Sequence, residues 1–124
     1  MSSEKILIVD DEESVLKLLE RRLSSEGYSI IKAETGREAI NKSKSYMPHI
    51  IIMDIILPDI NGAEAVKEIK NDAVTKDIPV LFLSGIITQD PNEKPSVKVG
   101  EEVYDAVSKP IDFDELLVEI RKKL

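Results

Sequence analysis

A chain of 124 residues, 42% of them apolar, can bury one respectable core but not two, so a single domain over 1–124 is expected. Seventeen Lys and Arg against 24 Asp and Glu give a formal net charge of −7, a sign that repels phosphate backbones and argues against direct nucleic-acid binding. The absence of cysteine excludes disulfides and thiol chemistry, and neither a signal peptide nor an apolar run of membrane-spanning length occurs, so a soluble cytoplasmic protein without membrane contact is expected.

In chain order, five short apolar runs rich in β-branched residues predict strands: Ile6 to Val9, Ser29 to Ala33, Ile50 to Met53, Val80 to Leu83, and a weaker one around Tyr104 to Ser108. The stretches between them carry helical spacing. The clearest is the last, where Phe113, Leu116, Leu117, Ile120 and Leu124 make an apolar stripe opposite charged residues. Capping-box pairs mark three helix starts, Thr35 with Glu38, Asn61 with Glu64 and Asp112 with Glu115. Gly27 suits a left-handed C-cap, and Pro48 cannot continue a helix. Across Ile86 to Val103 the prolines at 91 and 95 break any long helix, so a loop followed by a short helix from about Ser96 is expected. Strict alternation of strand and helix, with strands apolar on both faces, predicts a parallel sheet covered by helices on both sides.

In such a sheet ligands bind outside the carboxyl ends of the strands. There the first strand finishes in Asp10-Asp11, the third in Asp54, the fourth in Ser84 and the fifth in Lys109, although the strand interiors are almost purely apolar. Taken singly, each has an ordinary reading as a cap, turn residue, loop hydroxyl or solvated charge. Their joint placement does not. Three carboxylates gathered in a partly desolvated cleft repel one another unless cations compensate, and an oxygen-only donor set suits a hard divalent ion, Mg2+ or Mn2+. A carboxylate beside such an ion can attack phosphorus to give an aspartyl phosphate, with Lys109 and Ser84 contacting the remaining phosphoryl oxygens.

The segments ILIVDDE and IIIMDIILPDINGAEAV, the Ser84-Gly85 pair, and Ser108-Lys109-Pro110 resemble, in order and near-family spacing, the four signature regions of response-regulator receiver domains of two-component signal transduction. The resemblance runs from Lys5 to Leu124. It implies the flavodoxin-like (βα)5 fold, a doubly wound five-stranded parallel sheet of order 2-1-3-4-5. It also implies roles: Asp54 as phosphoacceptor; Asp11, Asp54 and the Ile56 carbonyl as direct ligands of Mg2+, with Asp10 contacting it more loosely through water. Ser84 matches the switch hydroxyl and Lys109 the phosphate-pairing lysine. The Lys109-Pro110 bond is expected to be cis, and the small Gly85 leaves a path for a donor phosphohistidine. The implied partners are a sensor histidine kinase or phosphotransfer protein and a downstream output partner or fused domain, and a phosphorylation-dependent dimer is an allowed state.

The sequence departs from the family pattern at Ala106, where most members carry Tyr or Phe, and in the long proline-containing interval between Ser84 and Lys109. Two rivals with similar sheets fit less well. An aspartate-nucleophile phosphatase needs a second acid two residues after the nucleophile, where this chain has Ile56, and Asp10-Asp11-Glu12-Glu13 would repel a flavodoxin's flavin phosphate. His49 is expected at the surface, Met47 and Met53 as core or edge filler, and Arg121-Lys122-Lys123 as the cationic last turn of a helix.

Overall fold

A computed structural model describes residues 3–85 and 95–124. The elements run β1 (Lys5–Val9), α1 (Glu13–Ser25), β2 (Ser29–Ala33), α2 (Gly36–Tyr46), β3 (Ile50–Asp54), α3 (Gly62–Asn71), β4 (Val80–Ser84), β5 (Ser96–Val99), β6 (Glu102–Ser108) and α4 (Phe113–Lys123). They build a sheet of order β2-β1-β3-β4-β6-β5, parallel throughout except for the antiparallel β5–β6 pair.

The inner strands are apolar on both faces because both faces are covered. Leu7, Val9, Ile51, Met53 and Phe82 point to one side, where Ala39 and Ile40 of α2 and Ala65, Val66 and Ile69 of α3 close over them. Ile6, Ile8, Ile50, Ile52, Leu81 and Leu83 point to the other, against Leu16, Leu19 and Leu23 of α1 and Leu116, Leu117 and Ile120 of α4. Successive strand residues alternate between faces, so one β-branched run serves two cores.

The three expected caps form: Thr35, Asn61 and Asp112 each accept the N–H of the glutamate three residues on. Gly27 closes α1 at φ +95°. Where α2 ends before Pro48, Met47 takes the left-handed conformation at φ 48°. Met53 is fully buried and His49 exposed, as expected, whereas Met47 is exposed. On α4 the expected stripe holds at Leu116, Leu117 and Ile120, but Leu124 is exposed and Glu119 is buried.

Two expectations about the second half change. Among the described residues the sheet has six strands rather than five: the expected fifth strand is β6, and β5 adds an antiparallel strand outside it. No helix starts at Ser96; Ser96–Val99 is that added strand. The alternation of Ser96, Val97, Lys98 and Val99 has a period of two, and Gly100 at φ +61° supplies the positive-φ residue of a two-residue turn between Val99 and Glu102. Val97 and Val99 then join Tyr104, partly buried, against the core on the α2–α3 side. Pro95 has no N–H to donate, yet its carbonyl accepts the Ala106 N–H at 3.1 Å and opens the hairpin. The loop expected before Ser96 falls mostly on residues 86–94, outside the described residues.

A candidate phosphorylation site at the strand ends

Parallel strands bring their carboxyl ends to one edge of the sheet, and there a cleft of about 500 Å³ opens, lined by Asp11, Glu12, Asp54, Ile55, Ile56, Ser84, Gly85 and Lys109. Asp10 sits immediately behind it, fully buried. Carboxylate oxygens of Asp10, Asp11 and Asp54 lie within 4.8 Å of one another. The Lys109 ammonium bridges two of them, at 2.9 Å from Asp10 Oδ2 and 3.2 Å from Asp54 Oδ2. All the polar residues singled out from the sequence therefore converge on one place.

Backbone contacts fix these groups. Asp10 Oδ1 accepts the Glu12 N–H at 2.9 Å, so both its oxygens are engaged. The Lys109 N–H donates to the Ser84 carbonyl at 2.8 Å, and Ser84 pairs with Ser108 in register, which aligns the ends of β4 and β6. The Lys109-Pro110 peptide is cis. Gly62 presses against the turn of β3: its N–H donates to the Ile55 carbonyl at 2.6 Å, and a Cβ there would collide with the Asp54 carbonyl oxygen.

The electrostatics are those of an under-compensated acidic site. Burial first, and the neighbouring Asp10 carboxylate second, raise the Asp54 pKa above its ordinary value, with Lys109 only partly offsetting them. Burial alone would lower the pKa of Lys109, but its bonds to Asp10 and Asp54 outweigh that and raise it. Among the described residues, three carboxylates share one ammonium, which leaves two negative charges uncompensated, the charge of one divalent cation. A hard ion that accepts carboxylate and carbonyl oxygens fits this donor set.

The family profile of the response regulator receiver domain matches residues 6–121. The chain belongs to that family. This receiver domain is similar to Protein PilH of Pseudomonas aeruginosa, 31% identical over 120 residues that make up 97% of each chain. It is 37% identical over 123 residues to the probable transcriptional regulator ycf27 of Guillardia theta, covering 99% of this chain and 46% of that one. It thus spans about half the length of the first curated relatives it matches, and nearly all of PilH. Among solved structures it superposes on the response regulator TrrA from Thermotoga maritima in complex with Mg2+-BeF at a TM-score of 0.81, with 33% identity and coverage of 98% and 99%. Receiver domains are phosphoacceptor signalling modules rather than enzymes in the ordinary sense, and they work with histidine kinases and output domains. Among the described residues no helix is long and apolar enough to cross a membrane.

Glu12 and Ile55 in the cleft wall, and the contact of Asp59 with Gly36, are not among the residues expected at the site. Glu12 stood within the acidic run after the first strand, a signal that was there to use; Ile55 looks like any apolar residue after a strand.

Proposed function

We propose that Asp54 is the phosphoacceptor of this receiver domain. The observation that carries this is the placement of its carboxylate at the end of inner strand β3, on Lys109 and beside two further carboxylates. An Asp54 oxygen attacks phosphorus, the P–O bond forms as the P–N bond of a donor phosphohistidine breaks, and the imidazole departs. Asp11, Asp54 and the Ile56 carbonyl would hold Mg2+, with Mn2+ as substitute, while Asp10, whose two oxygens are already engaged, would contact it through water. The ion supplies charge neutralisation to the phosphoryl oxygens. Lys109 moves from carboxylate to phosphoryl oxygen, and the buried Ser84 hydroxyl donates to another. At Gly85 a Cβ would meet nothing within 4 Å among the described residues, which supports its role as the small residue facing the donor.

The donor is a sensor histidine kinase or phosphotransfer protein, and the output is a separate partner or a further domain of a cytoplasmic regulator. Self-dephosphorylation is slow, because Ile56 stands 76% exposed at the cleft and cannot hydrogen-bond an attacking water. Acetyl phosphate with Mg2+ should add one acid-stable, base-labile phosphoryl group, read by mass spectrometry. Full labelling of Asp54→Asn would overturn the assignment. Ile56→Asn should shorten the lifetime of the phosphorylated state.

A further inference from the structure

The loop that leads from Asp54 to α3 is tied to a second helix. Asp59 reaches out of it to the start of α2, where Oδ1 accepts the Gly36 N–H at 2.8 Å and Oδ2 the Arg37 N–H at 2.9 Å. Ile60 packs over the same point, since a Cβ on Gly36 would lie 2.5 Å from Ile60 Cγ1. The first N–H groups of a helix have no partner within it. On α2 the local cap, Thr35, takes only the third, that of Glu38, at 3.0 Å. Asp59 takes the first two, from 22 and 23 residues away in sequence.

This clamp bears on the site through the backbone. The loop is closed at one end by the Gly62-to-Ile55 bond and at the other by Asp59. Between these points lies Ile56, whose exposed side chain gives it no packing anchor of its own. Leu57 and Ile60 rest on the core, but apolar contact is not directional, whereas two charge-assisted bonds to fixed helix amides set both position and orientation. Asp59 does not line the cleft.

We propose that Asp59 is a positioning residue for the metal site: by clamping the β3–α3 loop to the N-terminus of α2 it fixes Ile56, whose carbonyl would serve as a ligand, relative to Asp54. The inference rests on the metal reading given under the proposed function. Partners that orient a metal ligand cost 10- to 100-fold in affinity when removed, and because Asp59 acts through the chain the lower end applies, a rise in the Mg2+ dissociation constant of about tenfold for Asp59→Ala. Asp59→Asn keeps one acceptor oxygen and should fall between. Thr35→Ala is the control, because it weakens the same helix end without releasing the loop.

Calorimetric Mg2+ titration of the four proteins tests this, together with amide exchange at Gly36 and Arg37 in metal-free protein, which should accelerate in Asp59→Ala. Wild-type protein that binds no Mg2+ would overturn the metal reading and this inference with it. Wild-type binding matched by Asp59→Ala would overturn the positioning role alone. An equal loss in Thr35→Ala would also overturn it, by tracing the effect to the stability of α2.

Discussion

Asp54 is held in a state that favours the proton, by burial and by Asp10, and this carries a cost whenever no cation compensates it. A carboxyl whose pKa is raised by folding contributes most below its ordinary value of 3.8 and loses that contribution as pH rises through the raised folded value. At neutral pH the anion therefore destabilises the metal-free fold. Asp54→Asn should raise the melting temperature in the presence of a chelator at pH 7, and the gain should vanish as pH falls toward 3.8. Asp59 shows the opposite sign. Against some desolvation, its bonds to the Arg37 and Gly36 amides lower its pKa, so its contribution is full above 3.8 and is lost as pH falls through the depressed folded value. Acid unfolding of wild type and Asp59→Ala should converge in that window, and a constant difference down to the lowest pH would contradict the assignment.

At the scale of elements, α2 and the β5–β6 hairpin hold the most testable energetics. Met47 ends α2 at φ 48°, a conformation in which a Cβ is strained and glycine is not. Its side chain is exposed, so Met47→Gly removes strain with little loss of packing and should stabilise by about 1 kcal/mol in denaturant titration. Tyr104 anchors the hairpin: its ring meets Phe82 edge-on at 5.8 Å, with the Lys70 ammonium 5.9 Å from its centroid, and it pairs with Val97 across the strands. Tyr104→Ala should cost about 2 kcal/mol and Tyr104→Phe much less, because the ring rather than the hydroxyl makes these contacts. Ala106, opposite Phe82 in register, is fully packed and carries no ring.

For the whole molecule, the acidic site and the fold are linked by mass action. A cation that binds only the folded chain stabilises it by about 2.7 kcal/mol at a hundredfold excess over its dissociation constant. The unfolding midpoint should thus climb with Mg2+ in wild type. In Asp11→Ala, which loses a ligand but no core contact, it should stay flat, because Asp11 is exposed. In Ser84→Ala the climb should persist, since the hydroxyl is assigned to the phosphoryl group rather than to the metal. Equal loss of the Mg2+ effect in both variants would contradict that division of roles.

Much of this was legible in the sequence for local reasons. Strand runs and helix caps depend on neighbours within a few residues, and Asp10-Asp11, Asp54, Ser84 and Lys109 each stand where an apolar run stops, so a parallel sheet must bring them to one edge. The hairpin was only weakly legible: Ser96 to Val99 alternates with period two, but four residues are a short run, Pro95 and Gly100 punctuate a short helix and a turn alike, and contact with α3 and Tyr104 decides for the strand. Nor was the reach of Asp59, which reads locally as one more turn residue after Pro58. Its partners lie 22 and 23 residues back, and Lys109 meets Asp10 across 99. Such pairings depend on strand order and register, which residue periodicity does not encode; the sequence by itself determined the three aspartates, the serine and the lysine that meet at the sheet edge, and the tertiary structure decided what holds them in place.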